Sequence, residues 1–417
     1  MATPSVACSA VIETDVLVVG GGPAGSATAI IAARAGLDVT VVDKATFPRD
    51  KCCGDGLTTL ALRQLARLEL DPAAVPNWFD VHDVVLRSPS GHETALALPR
   101  GPGAFAAVTP RAELDAALLD LARAAGAKVH DGHGFAGLVA SSGPERLEVL
   151  VDGLGTVGCR HVVAADGMWS PVRKALGLNE PGYFGEWHAY RQYARGVTGP
   201  AAERLYVWFD ADLLPGYAWS FPLPGGRVNI GFGLLRTEGD SVQHMRTLWP
   251  EILQRRHVRE ALGPGVELEG RHTAWPIPAR IDRATLAVGQ VLFVGDAAAA
   301  TDQLTGEGIG QALLTGIEAA EAIVATAGTD PFAAGERYRR QVRRHLVADH
   351  RMSVALSRLT AHPRAVDAGV RLVGSSAWTR RNFVRWMFED EPRAALLTPR
   401  RWHRRFLRQP GAALPGR

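Results

Sequence analysis

Asp15 to Val19 is a short apolar run that ends in glycines, the pattern of a strand buried on both faces. Ser26 to Ala35 is rich in Ala and Ile and stops at Gly36, which predicts a helix with a glycine terminator. Asp38 to Val42 alternates and ends on Asp43, a second strand. These pieces make one βαβ unit. Residues 76–108 then break into short strand-like pieces. Arg111 to Ala125 returns to helical spacing, and His161 to Ala165 is another buried strand. Gly182 to Pro278 reads as mostly β, with aromatics, Gly and Pro. Val291 to Val294 is a further buried strand, and an Ala-rich helix runs from Gly306 through Ala325. From about residue 336 the chain is helical and rich in arginine.

The pattern predicts an α/β protein. A discontinuous Rossmann-type domain is expected from 12–75, 106–180 and 285–335. A mostly antiparallel β domain is inserted as 76–105 and 181–284, and 336–417 forms a helical, basic C-terminal region. The 417 residues leave room for two domains. A 47% hydrophobic and 21% charged composition is that of a folded globular protein. The formal net charge of +3 gives no reason to expect nucleic acid. Four cysteines (Cys8, Cys52, Cys53 and Cys159) form no disulfide framework and fit a reducing compartment. A bridge between the adjacent Cys52 and Cys53 would be strained. No run of about 18 unbroken apolar residues appears. Val16 to Ala33 comes nearest and is interrupted at Gly20, Gly21, Gly22 and Pro23. No secretory signal is visible. A cytoplasmic protein is expected, with no metal site.

Gly20, Gly22 and Gly25 form GxGxxG around Pro23 and Ala24, between a strand and a helix. Gly20 allows the tight turn, Gly22 lets a diphosphate approach the backbone, and Gly25 lets the helix pack on the strand. The helix N-terminus offers free N–H groups and partial positive charge. Asp43, with Lys44 beside it, ends the second strand where a carboxylate can accept from ribose hydroxyls. That carboxylate would repel a 2′-phosphate, which disfavours NADP at this site. NAD and FAD remain. A second acidic turn, Gly295 and Asp296, follows a buried strand far down the chain, which suits the long extended FAD. Thr305, Gly306, Glu307, Gly308 and Ile309 open the long helix, and their N–H groups suit the flavin pyrimidine edge. Asp166 and Gly167 form a third turn, open to a helix-capping reading. Arg111 begins a helix and either reaches a phosphate or orders the fold.

Together these segments resemble the FAD-dependent oxidoreductases with the fold of p-hydroxybenzoate hydroxylase, over about residues 12 to 325. Two further motifs resemble the geranylgeranyl reductase family. Tyr217 to Pro222 stands as YAWSFP, followed by Gly231, Phe232 and Gly233, similar to YxWxFP…GxG. Pro48 to Leu57 is similar to the PRxKxCG segment, with Cys53 at its cysteine; Gly54 and Asp55 join the expected cofactor contacts. The family often has proline shortly before the Gly-rich helix start, where this chain has Gln303 and Leu304.

The resemblance implies saturation of C=C bonds in a geranylgeranyl-type or menaquinone prenyl chain by hydride from reduced flavin. Strand alternation puts Tyr217, Trp219 and Phe221 on one face, where they line an apolar slot or form core. Cys53 is the expected catalytic proton donor, or a small buried residue; Arg49 and Lys51 supply the electropositive surroundings that a reactive thiol needs. NAD(P)H or a ferredoxin is the expected electron donor. Competing readings are a flavin monooxygenase of an aromatic or polyketide substrate, a halogenase, whose WxWxIP motif shares Trp219 and Pro222, and a non-catalytic flavoprotein. The expected partners are an isoprenoid or quinone substrate and a membrane surface, met by Arg400, Arg401, Arg404, Arg405 and Arg408 around Trp402, Phe406 and Leu407.

Overall fold

The computed structural model describes residues 12–98, 105–139, 146–236, 242–327, 330 and 332–388. The basic segment around Trp402 lies outside the described residues. The apolar run near the N-terminus is strand β1 (Ile12–Val19), followed by helix α1 (Pro23–Arg34) and strand β2 (Val39–Asp43). β1 pairs in parallel with β2 on one side and with the Gly155–Ala164 strand on the other. That strand pairs in parallel with Val291–Phe293. Three distant stretches of chain thus supply adjacent strands of one sheet. Val16, Leu17 and Val18 are fully buried, as a strand covered on both faces requires.

Helix α1 packs against Ile309–Thr326 at backbone distance. A Cβ on Gly316 would sit 2.1 Å from the Ala24 carbonyl oxygen, and one on Gly25 would sit 1.8 Å from that of Gly20. Thr28 Oγ1 donates across the contact to the Gly316 carbonyl at 3.0 Å. Among the described residues, Ile309–Thr326 is the one helix long and apolar enough to cross a membrane. Its packing explains that composition: 72% of its apolar window is buried inside the protein.

The second sheet has seven strands in the order Glu267–Ile277, Trp187–Arg195, Arg227–Leu235, Tyr217–Leu223, Leu205–Trp208, Asp83–Arg87, Glu93–Ala97. All neighbours are antiparallel except Leu205–Trp208 with Asp83–Arg87. The expectation of mostly β structure across 182–278 needs one correction. Helices Val242–Gln254 and Arg256–Leu262 cover the back of this sheet. Met245, Leu248, Trp249 and Ile252 recur at helical spacing and pack on Tyr190 and Phe232. The aromatics of the surrounding strands hide that period in a coarse reading. The long helix also starts at Ile309 rather than Gly306, because Gly306 takes a positive φ of 67° in the preceding turn.

Beyond Ala333 the chain is helical through Phe388. Helices Pro363–Gly374 and Ala377–Phe388 place Val366, Val370, Val373 and Val384 against Val84, Leu86 and Leu96 of the second sheet.

Gly316→Val should destabilise the fold by about 1–3 kcal/mol through overpacking. A lower Tm by calorimetry is the expected result, whether or not the cofactor is added.

Candidate functional site

A single cavity of about 1360 Å3 runs from the β1–α1 turn, past the Arg49–Leu57 loop, to the C-terminal helices. Gly20, Gly22, Pro23, Ala24, Asp43, Lys44, Arg111, Asp166, Gly295, Asp296, Gly306, Gly308 and Ile309 all border it, as do Cys53, Gly54 and Asp55. Tyr217, Trp219 and Phe221 line it as well. One strip of surface therefore carries every expected site residue except Gly25, which acts in packing as described above.

At the first end the glycine turn is braced by Asp43. Its Oδ2 accepts from Gly21 N at 2.7 Å and its Oδ1 from Ala45 N at 2.8 Å. Gly20 takes φ 108°, and a Cβ there would lie 2.3 Å from the Ala165 carbonyl oxygen. Side-chain-free backbone is thus required on both sides of the turn. Asp115, fully buried, accepts two bonds from Arg111, at 2.8 and 2.7 Å, and a third from Arg49 at 3.1 Å. Two guanidinium groups on one carboxylate leave net positive charge beside Gly22. The nearest atoms to a Cβ at Gly22 are Arg49 Nη2 at 3.5 Å and Arg111 Nη2 at 3.9 Å. That cradle fits a diphosphate. Asp166 takes the capping arrangement: its Oδ2 accepts from Val172 N at 3.0 Å, and burial pushes its carboxyl up to about 6.

At the centre, Lys51 Nζ lies 3.4 Å from Asp296 Oδ2 and 4.7 Å above the Trp275 ring. Asp302 shapes the turn that leads into the long helix. Its Oδ1 accepts from Leu304 N at 3.0 Å and from Thr305 N and Oγ1, each at 2.8 Å. This carboxylate defines the loop without the proline that the family often has. Tyr217 Oη donates to the Thr305 carbonyl, and Thr58 Oγ1 to Glu307. The loop is thereby held toward the second sheet.

The aromatic face of the Tyr217–Leu223 strand borders this loop. Its rings follow one another at 6.0 Å, Tyr217 to Trp219 and Trp219 to Phe221. Trp219 lies opposite Gly231 in the next strand, and Tyr217 opposite Gly233. A Cβ on Gly231 would be 2.6 Å from Trp219 Cζ2, so the small residue makes room for the indole. Gly54 and Gly56 likewise pass Phe221 Cε2, at 3.2 and 3.0 Å from where their Cβ atoms would be. The spacing of YxWxFP and GxG is one cross-strand packing arrangement written twice in the sequence.

Cys53 lies under this face. Its thiol is pushed up by burial, against the opposing influence of Arg111 and Lys51. Cys52, with Sγ donating to the Thr273 carbonyl at 3.5 Å, is pushed up to about 11 by burial. The expected electropositive activation of Cys53 is outweighed. Burial outweighs the nearby cations and favours the protonated form of both thiols, while Arg49 is paired with Asp115 and Lys51 with Asp296. Sequence reading missed the partners of this loop. Asn229 Nδ2 donates to the Cys53 carbonyl and to Asp55 Oδ2, each at 2.8 Å, and its Oδ1 accepts from Trp219 Nε1 at 3.1 Å. It also missed Asp115, Asp302 and the C-terminal wall of the cavity. The (i, i+4) pairing of Arg111 with Asp115 on a helix was the available signal for one of these.

Gly22→Val should leave folding intact, because the surrounding space is open, and abolish FAD retention by occupying the diphosphate position. Unchanged unfolding of the apoprotein with loss of the bound-flavin absorption band is the expected pair of results. A yellow, fully loaded variant would remove the cradle assignment.

Residues 13–210 match the FAD binding domain family. The menaquinone reductase of Mycolicibacterium smegmatis is 36% identical over 336 residues, 76% of this chain and 78% of that protein. Digeranylgeranylglycerophospholipid reductase 2 of Methanopyrus kandleri is 30% identical, covering 74% of this chain and 76% of its own length. Among solved structures, a geranylgeranyl bacteriochlorophyll reductase-like protein of Thermoplasma acidophilum superposes with a TM-score of 0.76 at 20% identity, over 91% of this chain and 97% of that one. A flavin-dependent halogenase superposes at 0.68 with 22% identity, over 94% and 74%, and shares the fold alone. With its glycine cradle, its acidic turns and these relatives, the chain belongs to the geranylgeranyl reductase family and is an FAD-dependent oxidoreductase.

Proposed function

We propose that the protein saturates C=C bonds in the prenyl tail of a quinone or related isoprenoid lipid. The carrying observation is the cavity. Its volume exceeds the about 300–1000 Å3 of an ordinary single-ligand pocket, as a site for a cofactor and a chain together must. Its far half is apolar, bordered by Val84, Leu86, Leu205, Phe209, Leu356 and Val370. The relatives named for menaquinone and for digeranylgeranyl lipid support the same class of substrate. Reduced flavin supplies the hydride. The protein's share is to hold one double bond at the Tyr217–Trp219–Phe221 face, exclude water and deliver a proton. The aromatic faces also stabilise positive charge that develops on the alkene. NAD(P)H or a ferredoxin would reduce the flavin by transient contact, since no second nucleotide fold appears among the described residues.

The chain enters from a membrane surface. Leu359 and Leu372 both line the cavity and are 55% and 64% exposed, so they mark its mouth. Trp378, 73% exposed, stands on the next helix. Residues 351–388 carry seven arginines against one acid, Asp367. Exposed apolar side chains among arginines suit the anionic face of a bilayer.

Quinones and lipids extracted from cells with and without the gene should differ by two hydrogens per reduced prenyl unit on mass spectrometry. Gly369 lines the cavity, and a Cβ there meets nothing within 4 Å. Gly369→Trp should therefore fold, bind FAD, and lower kcat/KM for a prenyl quinone at least about tenfold, or about 1.4 kcal/mol. Full activity in that variant, or no mass shift in cells, would reject the reading.

The double variant Leu372→Glu/Trp378→Glu should weaken co-sedimentation with anionic vesicles about tenfold or more. FAD content should not change. Binding equal to the parent would discard this face as the membrane contact.

A further inference from the structure

Asp55 is fully buried and yet borders the cavity. It is not a glycine, but its φ is 64°, the left-handed region. Tyr193 Oη donates to Asp55 Oδ2 at 2.5 Å, and Asn229 Nδ2 donates to the same oxygen at 2.8 Å. Oδ1 is just as buried and has no hydrogen-bond partner among the described residues. An ionised carboxylate in this position would leave charge on a buried oxygen with no protein donor beside it among the described residues. A protonated one is well matched: Oδ2 is the carbonyl oxygen that two donors recognise, and the hydroxyl is Oδ1.

We propose that Asp55, protonated on Oδ1, is the general acid that completes alkene reduction. This rests on the prenyl-reduction reading above. The alkene π bond breaks and two C–H bonds form. One carbon receives a hydride from reduced flavin, and its neighbour receives the Oδ1 proton. The alkene gains the two electrons that the flavin loses. The Asp55 carboxylate regains a proton from water before the next turnover.

Cys53 is the other acid in the loop, and Asp55 N donates to its Sγ at 3.3 Å. Burial raises its thiol from a value already far above that of a carboxyl, so it is the weaker proton donor. Asp55 is pushed up to about 6 by burial, against hydrogen bonds from Tyr193 and Asn229 and the charges of Arg191 and Arg111. Of the groups that face it, Tyr193 and Cys53 are raised and stay neutral, and both arginines stay charged. Asp55 alone in this set titrates between about pH 5 and 8. Because its folded value lies above the ordinary 3.8, its contribution to stability is full below about pH 4 and is lost as pH rises through about 6.

Asp55→Asn tests the assignment, since the amide oxygen can still accept from Tyr193 and Asn229. Dithionite-reduced, FAD-loaded enzyme is mixed anaerobically with a prenyl quinone between about pH 5 and 8, and saturated product is counted. Wild-type rates should fall above about pH 6. The variant should keep its FAD and its rate of flavin reduction by dithionite, lose about 100-fold or more in alkene reduction, and lose that pH limb. Its Tm should exceed that of wild type at about pH 8 and not at about pH 4, a readout independent of turnover. A variant with the wild-type rate, or with the same pH limb, overturns the proposal. Should the variant fail to fold, a wild-type rate that is flat from about pH 5 to 8 overturns it equally. A wild-type enzyme that saturates no prenyl chain removes the functional reading, and the role of Asp55 with it, even where the unfolding difference shows that the carboxyl titrates.

Discussion

One buried carboxamide holds the two halves of the site together. Asn229 sits on the second sheet, fully buried, and uses its Oδ1 and Nδ2 atoms outside its own strand. It accepts from Trp219, the central ring of the aromatic face, and donates to the Cys53 carbonyl and to Asp55. The aromatic wall and the cysteine loop therefore cannot shift independently. A buried amide satisfied on both sides rigidifies what it joins, whereas one left unpaired costs the full desolvation of its polar atoms. The glycines around it follow from the same constraint. Gly54, Gly56 and Gly231 are small because Trp219 and Phe221 occupy the space where their side chains would be.

Charge divides the cavity along its length. At the nucleotide end, Asp115 is wholly buried and shared by Arg49 and Arg111, which fixes both guanidinium groups and leaves an uncompensated positive charge over the glycine turn. That charge is costly until an anionic group arrives, and it is then a preorganised partner. Around the cysteine loop burial acts the other way on the acids. Burial raises Cys52, Cys53 and Asp55 together, which favours their protonated forms.

The sequence made the nucleotide half legible because backbone geometry demands particular residue types there. Gly20 and Gly25 have carbonyl oxygens where a Cβ would be, and β1 is covered on both faces, so composition and position agree. The aromatic face was legible for a similar reason: strand alternation sends Tyr217, Trp219 and Phe221 the same way. The rest depends on contacts between distant residues. Tyr193, Asn229 and Asp55 come together across about 140 to 175 positions of chain, and no local pattern announces the meeting. The helices at Val242–Gln254 and Arg256–Leu262 were masked by neighbouring strands of similar hydrophobicity. The C-terminal helices read correctly as helices, but nothing in their period reveals that one face closes the cavity.

The turn from Asp302 to Gly308 carries the consequence of that closure. Ser353, on the C-terminal helix Ala348–Thr360, donates to Asp302 Oδ2 at 2.7 Å. The other oxygen of Asp302 organises Leu304 and Thr305, whose carbonyl is held by Tyr217 from the opposite sheet. A helix that walls the apolar half and a strand that lines it therefore grip the same short loop, which itself borders the cavity. A carboxylate pinned on both oxygens restrains that loop through hydrogen bonds, where a proline acts through restricted φ. It also couples the loop to the walls, which a proline does not.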